Sequence, residues 1–181
     1  EVVSAADWRT HPASGKTFGN AKNDYAAATL DGSYRYPDGK TISSEGGIGA
    51  VTTTFKTDSS GNLVEITPVS INDIRDGTTN TLLLGEKQIN IANLGKMQAN
   101  DNEGYTCGWN HDIMRYSSRE PRADFIDASG AVSDDRFGSS HPGGLNVSLC
   151  DGSVRFLSYS IELQTFQRMG CRRDGEPVQL P

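Results

Sequence analysis

The stretch Phe137 to Leu157, FGSSHPGGLNVSLCDGSVRFL, constrains this chain most, because it reads as a β-hairpin with its turn written in. Asp151-Gly152 is the two-residue turn: an Asx-Gly pair supplies the positive φ of a type I′ turn, whose twist matches the flanking strands. Before it Leu145, Val147 and Leu149 alternate with Asn146, Ser148 and Cys150. After it Val154, Phe156 and Ser158 alternate with Ser153, Arg155 and Leu157. A period of two is the mark of strands with one buried face. His141-Pro142-Gly143-Gly144 ends the incoming loop, where proline interrupts and two glycines permit a tight approach.

Around this hairpin the sequence predicts short elements. Residues 1–24 read as mostly irregular backbone, and Tyr25–Leu30 as a helical turn or a strand. Ala50–Lys56 is rich in β-branched residues and predicts a strand, turned by Ser59–Asn62 and returned by Leu63–Thr67. Ser70 is placed to cap a helical turn over Ile71–Arg75, with Ile71 and Ile74 inward, and Asp76-Gly77 ends it. Thr79–Glu86 predicts a strand whose apolar centre, Leu82–Leu84, implies burial on both faces. Lys87–Asn102 fits a weak helix or a sheet edge, and Asp101–Asp135 a long irregular segment of the kind that carries function or contacts. Beyond the hairpin, Ser160 is positioned to cap a helix over Ile161–Met169, with Leu163, Phe166 and Met169 on one face and Gly170 as its stop.

A length of 181 residues suits one domain with a real core. The parts are an irregular stretch over 1–49, strands over 50–86, a loop region over 87–136, and the hairpin, helix and tail over 137–181. A hydrophobic content of only 35% with 20 glycines describes a polar, loop-rich chain. The net charge of −6 argues against a nucleic-acid surface, which needs clustered Lys and Arg. No apolar run approaches the roughly 20 residues of a membrane helix. Three cysteines permit a single bridge, and Cys150 with Cys171 would staple the hairpin to the helix end.

Several residue sets carry the types that chemistry needs, and each has a bland alternative. Ser139 or Ser140, His141 and Asp151 include the members of a hydrolase triad, but no nucleophile elbow surrounds them and the hairpin carries Asp151 away from His141. Cys107 and His111, with Cys150, Cys171 and His141, could form a zinc set of irregular spacing. Asp101, Glu103 and Asp112 could hold Ca²⁺ in an oxygen-rich loop, without the EF-hand order; otherwise they form a solvated acidic loop. Tyr105, Trp109 and Tyr116 could stack on a sugar or pack on the sheet. Gly46-Gly47-Ile48-Gly49 lacks the following helix of a phosphate loop. The expected cofactor set is therefore empty, with Ca²⁺ as the one exception entertained.

The nine residues between His141 and Asp151-Gly152 form an H-x9-D-G pattern that resembles the signature of a large prepilin-like family, domain of unknown function 1559, also labelled a bacterial solute-binding family. Ile74–Glu86 (IRDGTTNTLLLGE), Asp101–Tyr105 with Gly108-Trp109, and Arg173–Val178 resemble further blocks of that family. The signature positions carried over are Asp76, Gly77, Asn80, Glu86, His141, Gly143, Gly144, Asn146, Asp151 and Gly152. The resemblance implies an α+β, antiparallel-sheet-dominated head like those of type IV pilins and pseudopilins, with short helices and long loops. The long apolar N-terminal helix that anchors such subunits is not within these residues.

It further implies a non-enzymatic, bacterial, extracytoplasmic subunit with a structural or adhesive role in a surface or secretion-type filament. The implied partners are copies of itself or other pilin-like subunits, and an extracellular ligand or glycan. Membrane contact would run only through the N-terminal helix. The alternative is a solute- or glycan-binding module acting alone through the loop 101–135. The signature residues are expected to serve structure, with Asn80 and Glu86 bonding backbone.

Overall fold

The computed structural model describes residues 8–10, 17–19, 22–29, 55–57, 63–65, 69–96, 98, 100–102, 112–176 and 178. Three sheets are present among them. β1 (Trp8–Thr10) and β2 (Thr17–Gly19) pair antiparallel within the stretch expected to be mostly irregular. β4 (Phe55–Thr57) and β5 (Leu63–Glu65) form the expected antiparallel pair. The main sheet holds β3 (Tyr25–Thr29), β6 (Leu82–Glu86), β7 (Met114–Tyr116), β8 (Gly144–Leu149) and β9 (Val154–Ser158), in the order β7-β3-β6-β8-β9.

All neighbours in this sheet are antiparallel except β3 and β7. The sheet is therefore mixed, and the expected dominance of antiparallel pairing holds with that one exception. A parallel pair needs a long crossover, which the chain from 30 to 113 supplies. With a single short helix, α1 (Leu163–Met169), the described part is mostly β.

One face of the sheet makes the core. Ala28, Leu82, Leu145, Val147, Leu149 and Leu157 meet Phe137, Phe166 and Met169 there. Burying each of the larger side chains contributes about 1.5–3 kcal/mol. Gly85 lies on this face beneath the Phe137 ring; a Cβ there would sit 2.7 Å from Phe137 Cδ1. The ring in turn meets Phe166 edge-on, with centroids 5.8 Å apart. α1 thus presents Phe166 and Met169 inward, while Leu163 is only half-buried. Its N-cap is Glu162 without a side-chain cap, not Ser160, whose hydroxyl bonds Ser158 instead. Gly170 follows because Ser117 packs against it, leaving no room for a side chain.

Four further expectations need correcting. The hairpin turn is not type I′, since Gly152 has φ +85° and Asp151 is not positive. Gly152 N–H donates to Leu149 O and Leu149 N–H to Ser153 O, a longer turn with a glycine bulge. On β9 the buried residue is Leu157; Val154 and Phe156 are 69% and 56% exposed. On β6 Leu82 is buried but Leu83 and Leu84 only half-buried, because the second face of the sheet is open at this end. The turn before β6 is a 3-10 turn, Ile71–Asp73, with a Ser70–Asp73 capping box; Ile74 is inward but Ile71 is exposed.

Candidate functional site

The signature residues gather at the two ends of the β6–β8 pair. At the hairpin-turn end, the Asp76–Thr81 segment acts as a clamp. Asp76 is buried, and its two carboxylate oxygens accept from the backbone N–H groups of Asp174 (2.8 Å) and Gly175 (2.9 Å), which tie down the C-terminal tail. Asn80 Nδ2 donates to Asp76 O and Thr81 Oγ1 to Gly77 O, closing the turn on itself. The outward carbonyls of Thr78 and Thr81 receive the N–H groups of Asp151 and Cys150. Asp151 then spends its carboxylate on Ser153, through both N–H and hydroxyl. One block therefore joins the hairpin turn and the tail.

At the other end Glu86 is the hub. Its Oε2 accepts from Asn146 N–H at 2.6 Å, and its Oε1 faces His141 Nε2 at 3.1 Å and Asn146 Nδ2 at 3.4 Å. His141 is half-exposed, whereas only 14% of the Glu86 side chain is accessible. Ser139 Oγ donates to Gly144 O and receives His141 N–H, and Tyr159 hydroxyl donates to Ser139 O. Gly143 has φ +81°, and Gly144 leaves room for Phe156 and the Leu157 carbonyl.

Register sets the outer face. Tyr25 pairs with Glu86 and Asn146 with Phe156, so one cross-strand row runs Tyr25, Glu86, Asn146, Phe156. The next row runs Ala27, Leu84, Ser148, Val154. On the edge strand β9 Val154 and Phe156 stand exposed, separated from half-buried Leu84 of β6 by Ser148 and Asn146 of β8, with Tyr25 46% exposed at the far end of its row.

Beside Glu86 opens a polar cleft of about 160 Å³, lined among others by Lys22, Asp24, Glu86, Lys87, Asp101 and Asp124. Lys87 is buried at its base and holds Asp101 Oδ1 at 2.6 Å. Burial pulls the Lys87 ammonium below its ordinary pKa, against the opposing pull of Asp101. Ser140 donates to Asp124 Oδ2, and Asp124 Oδ1 accepts Ile89 N–H. Asn90 is fully buried and satisfied on both sides: its amide reaches Asp127 O and Ala131 O, and its carbonyl caps the 3-10 turn Ile91–Asn93 and takes Asp127 N–H. Sequence reading missed Lys87, Asn90, Asp124 and the buried Arg115. A charge inside a run of buried strand residues, as in Ile113–Tyr116, was the available signal.

The sequence-derived sets fare differently. His141 meets Glu86 rather than Asp151, which sits at the opposite end of the hairpin, so the triad does not assemble. Cys150 and Cys171 are not bridged. Cys171 is buried with its sulfur among the Asp76 and Asp174 carboxylates, while burial and Asp151 push the Cys150 thiol up to about 11. Asp101 gives its carboxylate to Lys87, and Asp112 gives one oxygen to Asn102 N–H. Among the described residues Asp76, Cys171 and Asp174 are the group close enough to hold a metal, yet both Asp76 oxygens already serve backbone. Tyr116 is half-buried under the Arg119 guanidinium, 5.2 Å from its ring centroid. Glu103, Tyr105, Cys107, Trp109, His111 and the glycines at 46–49 lie outside the described residues.

A family model described as "Protein of unknown function (DUF1559)" matches residues 5–164. No curated protein and no solved structure gives a match.

Proposed function

The chain belongs to the DUF1559 family of proteins of unknown function, and from that membership we propose a type IV pilin- or pseudopilin-like extracytoplasmic subunit with a structural or adhesive role in a filament. The observation that supports it is the two-faced sheet. Its inner face is covered by α1 and Phe137, while its outer face leaves Val154 and Phe156 exposed on the edge strand β9. An apolar strip along an edge strand calls for a cover. An amphipathic or apolar helix laid over it would gain roughly 1–2 kcal/mol for each of these side chains, given their partial burial. Pilin-like subunits bring such a helix.

The signature residues fit a structural role, since they hold the sheet's two ends in register. We read the role as non-enzymatic: the Ser139 hydroxyl donates to Gly144 O and the His141 ring turns to Glu86, so both are committed to neighbours.

The polar cleft favours a second reading, a solute-binding module. Its site would then include the Lys87 cleft, to which Asp101 and Asp124 of the loop from 101 to 135 contribute. The discriminating experiment is intact mass and terminal peptide sequencing of the native protein from its source cells. A processed, methylated first residue ahead of a long apolar helix supports the subunit; a native polar start without that helix transfers the lead to the binding module.

A further inference from the structure

Three chain segments converge on the Lys87 ammonium. Nζ lies 2.6 Å from Asp101 Oδ1, 3.1 Å from Asp112 O and 3.5 Å from Asn23 Oδ1. Only 1% of the Lys87 side chain and 12% of the Asp101 side chain are exposed. Arg115, 1% exposed, places a second buried cation within electrostatic reach.

We propose that Lys87 and Asp101 condense into an intramolecular isopeptide bond that seals this end of the sheet. Burial lowers the pKa of the Lys87 ammonium, and the attacking amine forms as one proton passes from Nζ to the carboxylate oxygen it touches. What remains is an amine against a carboxylic acid, with Nζ 2.6 Å from Oδ1, the oxygen bonded to the Cγ that it attacks. Nζ attacks Cγ of Asp101, and the tetrahedral intermediate expels the hydroxyl as water together with a proton from nitrogen. One Nζ–Cγ bond forms and one Cγ–O bond breaks; no oxidant, reductant or co-reactant is consumed. The product amide is neutral and keeps an N–H for Asp112 O.

Geometry selects Asp101 over Asn23. It is the nearer group, and its position is fixed by the Gln98–Asp101 bridge and by Asn100, whose carbonyl is held by Arg115. The bond would tie the end of β6 to the segment leading into β7, across the β3 strand that lies between them in the sheet.

The test is the intact mass of the purified full chain, reduced and denatured, followed by tryptic mapping. The expected mass is one water below that of the sequence, with the Lys87–Gln88 bond uncut and a branched peptide joining Lys87 to Asp101. Asp101→Asn should reach the same product by losing one ammonia, while Asp101→Ala and Lys87→Arg keep their full masses. A wild-type chain at full sequence mass overturns the proposal. So does a water loss that maps to an Asp-Gly pair such as Asp151-Gly152, or an ammonia loss that maps to Asn23. If a variant fails to fold, the wild-type mass and branched peptide decide alone.

Discussion

Gly85→Ala and Phe137→Ala should each destabilise the protein, and the double variant should cost much less than their sum. A Cβ on Gly85 would stand 2.7 Å from Phe137 Cδ1, 3.0 Å from its Cε1 and 3.3 Å from Val147 Cγ1. The ring cannot retreat, because it is fully buried and set at 88° against Phe166. Overpacking of this kind costs about 1–3 kcal/mol. Removing the ring costs about 3–5 kcal/mol as lost burial and cavity, of which the edge-on aromatic pair carries roughly 0.5–1.5 kcal/mol. Independent sites would therefore sum to about 4–8 kcal/mol. With the ring gone the new methyl keeps only its 3.3 Å approach to Val147 Cγ1, so the double variant should stay near ~3–5 kcal/mol, a coupling of about 1–3 kcal/mol. Urea unfolding followed by far-ultraviolet circular dichroism measures all four proteins, with an unchanged slope as the check on two-state behaviour. Additivity to within ~0.5 kcal/mol would refute the packing argument.

Two further predictions concern the clamp. Asp76→Asn removes one charge-assisted acceptor from the Asp174–Gly175 backbone and should cost about 1.5–3 kcal/mol; amide exchange at 174 and 175 should accelerate, and an unchanged tail would contradict the clamp. Asp174 lies half-buried, with Oδ2 lacking a partner and Asp76 nearby, and burial with the Asp76 charge raises its pKa from 3.8 to about 6. A carboxyl raised on folding adds stability that is complete below its unfolded pKa and lost as pH rises through the folded one. Stability should thus fall between 3.8 and about 6 through this group. The shift corresponds to about 3 kcal/mol before solvent screening and about 1 kcal/mol after it. Asp174→Asn should flatten that part of the pH profile; an unaltered profile would assign it elsewhere.

Much of the architecture was legible because it is local. The alternation of Leu145, Val147 and Leu149 set β8, and Asp-Gly marked the turn. The turn's type was missed because Asp151 satisfies Ser153 without adopting positive φ. β9 was misread in facing, since Val154 and Phe156 are apolar but point to the open side, and periodicity alone does not name the buried face. The Glu86–His141 pair and the Lys87–Asp101 pair join residues 55 and 14 positions apart. Neither spacing is written in a local period. The β3–β7 parallel pairing depends on a crossover whose ends the sequence does not mark.

The measurement that bears most directly on the proposed subunit is site-specific photo-crosslinking from position 156, with a photoreactive phenylalanine analogue in place of Phe156, in the source cells. Phe156 is 56% exposed on the outer face, so the analogue should be tolerated. The account expects crosslinked peptides from an apolar helix, of the same chain or of a neighbouring subunit. A probe that reacts only with water, while the protein is folded and correctly localised, would contradict it.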